Sequence, residues 1–162
     1  MKTCAPRSNP ARLTLLSALL AAAGTFSTLA GAVGPYPAVT DARLQNPEAE
    51  NWLQYRGNYA GWGYSPLAKI TDKNAGDLSL AWAFSTGQVE GHQSPPIVNG
   101  GYMYITTPGS QVIALDAKTG MELWRYKKQL PAELTQLHPT NRGVALYGDK
   151  LYFATLDCML VA

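Results

Sequence analysis

The sequence predicts an all-β protein assembled from β-propeller blades, and three observations carry that expectation. Pro95 to Lys128 reads as short β-rich runs separated by tight turn signals. Leu151–Ala162 repeats the pattern of Met103–Ala114 at an offset of 48 residues, with Tyr104 over Tyr152, Thr107 over Thr155 and Ala114 over Ala162. A unit of that size with four strands is a propeller blade, which cannot bury both of its faces alone and therefore stacks on another like it.

The first 32 residues read as a cleavable export signal. Lys2, Arg7 and Arg12 form a basic start, Leu13–Gly24 an apolar run too short to span a bilayer comfortably, and Ala30–Ala32 the small residues of a cleavage site. Residues 33–50, "VGPYPAVTDARLQNPEAE", are polar and contain proline, so they form an extended lead-in or a short helix. From residue 51 the propeller domain is expected to begin. Its opening stretch sets Trp52, Tyr55, Tyr59, Trp62, Tyr64 and Trp82 among glycines, the pattern of loops pinned onto a core by large flat side chains. The sharper alternative is a carbohydrate-stacking platform on the same aromatics.

The strands then follow in order. "PIV", "YMYITT", "QVIALD" and "MELWRY" are joined by "NGG", "PGS" and "AKTG", an antiparallel meander in about 35 residues. Asp116 can accept backbone N–H groups at the start of the last turn, and Gly120 can supply the positive φ that a β-carbon resists. Trp124 falls on the outermost strand, where a broad ring can cover a seam with an adjoining sheet. A second sheet is expected to begin near Val144, stacked on the first.

The whole chain has 13 basic and 11 acidic residues, a net +2, but three of the basic ones lie in residues 1–32. Without that segment 10 basic residues face 11 acidic ones, a net −1, so nothing marks a nucleic-acid surface. Cys4 lies in the signal, and Cys158 is then unpaired, read here as a small buried hydrophobe. His92 and His138 are isolated, with no second ligand at metal spacing, so no metal site is expected in this chain.

"ALDAKTGMELW", Ala114 to Trp124, resembles the tryptophan-docking motif of the eight-bladed propellers that bind pyrroloquinoline quinone (PQQ). The resemblance to the quinoprotein alcohol dehydrogenases runs from about Asn51 to the C-terminus and is most specific in "NRGVALYGDKLYFATLD", Asn141 to Asp157. It implies an eight-bladed propeller of which this chain carries about the first two blades, truncated at the C-terminus. It also implies PQQ-dependent oxidation of small alcohols in the periplasm. In that family the Arg of the Asn-Arg-Gly turn reaches the cofactor, which here is Arg142. A guanidinium suits the task, since PQQ carries three carboxylates and an ortho-quinone and the planar fork of donors stays charged.

Two positions depart from the family pattern. Many members place a PQQ-contacting Glu where this chain has Gln93, which keeps the hydrogen-bonding reach without the charge. Many also carry an adjacent cysteine pair where this chain has Gln136 and Leu137. The resemblance further implies a Ca²⁺ or similar ion beside PQQ, held with the catalytic Asp base by later blades, so no catalytic residue and no metal ligand is expected here. Electrons would pass to a c-type cytochrome, a fused haem domain or a quinone. The alternative reading is a non-catalytic propeller of the same repeat, serving as a scaffold in outer-membrane protein assembly.

Overall fold

The computed structural model of the chain describes residues 33–162 apart from Glu90 and Gln136. The expected export signal, and one position of the absent cysteine pair, lie outside the described residues. Among the described residues no helix is long and apolar enough to cross a membrane.

The lead-in contains one short helix, α1 (Asp41–Gln45). Thr40 caps it by accepting the Arg43 N–H on its hydroxyl, Asp41 places a negative charge in the first turn, and Leu44 is the buried residue. Five residues cannot hold a helix by backbone bonds alone, and tertiary contacts supply the rest. Arg43 donates to both Glu48 carboxylate oxygens at 2.7 and 2.9 Å, to the Pro37 and Ala38 carbonyls, and to Asn99 Oδ1 at 2.9 Å. Asn99 in turn donates to the Pro37 carbonyl at 2.8 Å. One guanidinium thus fastens the lead-in to the first tight turn of the sheet.

Four antiparallel strands follow in sequence order: β1 (Ile97–Asn99), β2 (Tyr102–Thr107), β3 (Gln111–Asp116) and β4 (Glu122–Lys127). The inner strand β3 is buried along its whole length. The last turn forms as its residues dictate. Asp116 Oδ1 accepts the N–H groups of Lys118 and Thr119 at 2.8 and 3.0 Å, and Gly120 takes a φ of 74°. Trp82 lies flat against Gly120, where a β-carbon would collide with its ring.

The second sheet consists of β5 (Ala145–Tyr147), β6 (Lys150–Ala154) and β7 (Leu160–Val161), again antiparallel in sequence order. Its register reproduces that of the first sheet at the same 48-residue offset. Val98 pairs with Met103 as Leu146 pairs with Leu151, and Ile105 pairs with Ile113 as Phe153 pairs with Val161. The repeat inferred from side-chain similarity is therefore a repeat of hydrogen-bonded pairs.

Among the described residues no ladder joins the two sheets; they meet through side chains. Ile97, Tyr104 and Ala114 of the first sheet share a buried cluster with Leu146 of the second and with Val39, Leu44 and Leu53 from the lead-in and opening segment. Tyr126 meets Phe153 edge to face with ring centroids 6.5 Å apart. Burying a side chain such as Phe153 is worth about 1.5–3 kcal/mol, so a few such residues hold the seam. Ser110 adds a polar tie, its hydroxyl accepting the Leu156 N–H at 3.0 Å.

Two expectations about side chains need correction. Trp52 and Trp82 are half-buried, but Tyr55, Tyr59, Trp62 and Tyr64 are exposed, Trp62 to 74%. The segment from Trp62 to Leu80 runs over the surface, so Trp62 and Tyr64 enter no core among the described residues. Cys158 is exposed as well. It occupies a turn between β6 and β7 with a φ of 61°, where backbone geometry rather than burial sets its place.

Candidate functional site

Two segments far apart in sequence meet at one end of the seam between the sheets. Gly91–Ser94 leads into β1, and Pro139–Gly143 leads into β5. They run parallel, bridged between His92 and Asn141. Gly91, with a φ of 76°, lies so close to Pro108 and Thr140 that a β-carbon would come within 3.0 and 3.1 Å of their side chains. The Gly109 N–H donates to the Pro139 carbonyl at 2.9 Å, tying the second segment to the turn between β2 and β3.

Asn141 shapes the turn that presents the arginine. Its Oδ1 accepts the Gly143 N–H at 3.0 Å, and its Nδ2 donates to the Ala154 carbonyl at 2.8 Å. The local bond closes an Asx turn and the other anchors it to β6, the double use that makes Asn a good turn residue. Arg142 projects from this turn, and its Nε donates to Gln93 Oε1 at 3.1 Å across a separation of 49 residues. The two residues expected to contact the cofactor are thus in direct contact. Both are exposed, and among the described residues no ion pair engages Arg142.

The flanks of Gln93 are also held. The His92 ring nitrogen Nε2 and the Thr86 hydroxyl are 2.8 Å apart, and Ser94 Oγ accepts the Thr106 N–H at 3.3 Å. The Thr106 hydroxyl is buried and has no hydrogen-bond partner. His138 is exposed and belongs to no cluster, and among the described residues no three His, Cys, Asp or Glu side chains gather as a metal would require. Sequence reasoning used the Asn-Arg-Gly turn for its arginine and passed over Asn141. The turn-forming habit of Asn before Gly was the available signal.

The donor set fits an anionic, planar ligand such as PQQ. The Arg142 guanidinium keeps the edge formed by its two terminal nitrogens, which matches a carboxylate in bidentate geometry, and Gln93 keeps a neutral amide N–H₂ beside it. A cavity of about 630 Å³ lies elsewhere on the seam, walled by Tyr104, Val112, Trp124, Tyr126 and Phe153. It contains neither Gln93 nor Arg142, and its wall joins aromatic and aliphatic side chains to Asp149 and Lys150.

Residues 52–162 match the family described as the PQQ glucose/ethanol/alcohol dehydrogenase β-propeller domain, and the chain belongs to that family. Among its relatives, a quinoprotein ethanol dehydrogenase of Pseudomonas putida is 40% identical over 162 residues, covering 96% of this chain and 26% of its own length. The dehydrogenase subunit of a quinone-type alcohol dehydrogenase of Acetobacter aceti is 36% identical, covering 93% of this chain and 22% of its own length. In the solved structure of a quinohemoprotein alcohol dehydrogenase from Pseudomonas putida HK5, the matching part superposes with a TM-score of 0.65 at 35% identity, over 75% of this chain and 19% of that one. The chain therefore spans about a quarter of the length of the curated relatives it matches.

Proposed function

We propose that this chain is part of an exported dehydrogenase that oxidises small alcohols with PQQ in the periplasm and passes the electrons to a c-type cytochrome, a fused haem domain or a quinone. The observation that carries the reading is the Arg142–Gln93 contact, which places a guanidinium edge at the junction of two repeats in a chain of this family. When bound, PQQ supplies the quinone that takes up the electrons of the alcohol, beside a Ca²⁺ or similar ion. Arg142 holds a carboxylate of the cofactor through its terminal N–H groups, and Gln93 borders it. Asn141 fixes the turn that aims Arg142. The base that takes the alcohol proton and the ligands of the ion belong to other parts of the full-length protein, in keeping with an eight-bladed propeller.

The test is titration of the full-length apo-protein with PQQ, followed by quinone absorbance. Arg142→Ala removes a charge-assisted contact worth about 1.5–3 kcal/mol, so PQQ affinity should fall roughly 10- to 150-fold. Arg142→Lys should recover only part of it, because an ammonium lacks the planar fork. Unchanged affinity in Arg142→Ala overturns the residue assignment. A wild-type protein that binds no PQQ turns the reading to a scaffold propeller.

A further inference from the structure

We infer that Gln93 is a positioning residue, which grips the Arg142 guanidinium by its Nε so that the edge with two terminal nitrogens meets the ligand carboxylate. The inference rests on the PQQ reading above and assigns Gln93 an action through Arg142. The contact of Nε with Gln93 Oε1 at 3.1 Å occupies one N–H of the five that a guanidinium offers. A bidentate grip on a carboxylate can use either the edge containing Nε or the edge of the two terminal nitrogens. With Nε taken, only the second remains, so Gln93 selects the orientation in which Arg142 presents itself.

The residues on both sides of Gln93 are tied down, which limits where its side chain can reach. His92 is bridged to Asn141 and contacts Thr86, while Ser94 receives the Thr106 N–H. A free arginine loses substantial rotamer entropy when a ligand immobilises it, and holding it beforehand removes part of that cost from binding. An amide does this without setting a negative charge beside a ligand that is itself anionic.

The experiment is a double-mutant cycle in the full-length apo-protein, with PQQ as the probe, its dissociation constant as the readout and thermal melting of each apo-variant as control. Gln93→Met keeps the length of the side chain and removes the acceptor; Arg142→Lys keeps the charge and removes Nε. Gln93→Met should weaken PQQ binding roughly tenfold, the scale of one hydrogen bond to a charged group. In the Arg142→Lys background the same change should cost less than about twofold, because the bond it removes no longer exists. Because Gln93 is exposed, the melting temperatures should match the parents, and Gln93→Ala provides a second variant with the same expected loss. Wild-type affinity in Gln93→Met, or a full tenfold loss added to that of Arg142→Lys, overturns the positioning role. The PQQ reading would survive either result so long as Arg142→Ala still loses affinity; a wild-type protein without PQQ affinity overturns both.

Discussion

Gly120 shows how much one residue can carry when a left-handed turn and a packing contact coincide. Its φ of 74° disfavours any L side chain, and the space a β-carbon needs is filled by the Trp82 ring. Strain at positive φ costs about 1–2 kcal/mol and overpacking about 1–3, so Gly120→Ala should destabilise the protein by about 2–4 kcal/mol. Urea unfolding measures it, and a loss below about 1 kcal/mol would show that Trp82 moves aside freely. The Asp116–Gly120 turn was legible in the sequence because its chemistry is local: the carboxylate and the N–H groups it accepts lie within three residues. Trp82 was not legible as the partner, since nothing in a one-dimensional pattern brings residue 82 to residue 120. Cys158 failed for a related reason, as its general tendency to be buried yielded to the backbone of a particular turn.

At the scale of elements, the Arg43–Glu48 pair that fastens α1 gives a signed pH effect. Hydrogen bonds from Arg43, opposed by partial burial and aided by Asn51, hold the Glu48 carboxyl at about 2, below its ordinary value of 4.5. A carboxyl whose pKa is lowered by folding contributes stability above its unfolded value, and that contribution fades as pH falls from about 4.5 towards 2. The Glu48 side chain is 42% exposed, so water screens the pair and its worth is about 1 kcal/mol. Stability to urea should therefore drop by about that much more in the wild type than in Glu48→Gln between pH 6 and pH 2.5. Equal pH dependence of the two proteins would show that Glu48 adds nothing. The strands were the most legible elements, with β2 and β3 at the residues the turns defined. β1 begins at Ile97 rather than Pro96, whose ring nitrogen has no N–H for a ladder. β4 begins one residue later than expected, because the Met121 carbonyl closes the turn by accepting the Asp116 N–H. The aromatic segment was misread because ring density says that large faces need a neighbour, not which neighbour covers them.

For the molecule as a whole, the repeat leaves apolar surface in need of cover. Trp124 is 42% exposed on the outer strand of the first sheet, and Trp62, Tyr64, Leu67, Ile70, Leu78 and Leu80 stand out along the surface segment. Patches of this kind on a soluble chain mark contacts with further protein or lead to association. Residues 33–162 expressed alone should bind ANS strongly and elute from a sizing column as more than a monomer. A cooperative melt from an ANS-negative monomer would refute this. The register match between the sheets was legible because identical spacing imposes identical pairing, whereas the site was legible only in its residues. That Arg142 and Gln93 touch depends on how two sheets dock, which no local pattern encodes.

The anchoring of Asn141 to the Ala154 carbonyl sets a schedule as well as a geometry. Gln93 precedes β6 in the chain, so a chain that emerges N-terminus first presents it before the strand that holds the turn carrying Arg142. Closing a loop of 49 residues carries an entropic cost that only the docked second sheet can offset. The first sheet can form its hairpins early and wait, while the guanidinium finds its amide at a later moment, when the second repeat has emerged and settled against the first. A PQQ molecule meeting the chain before that moment would find the amide in place and no arginine aimed by it.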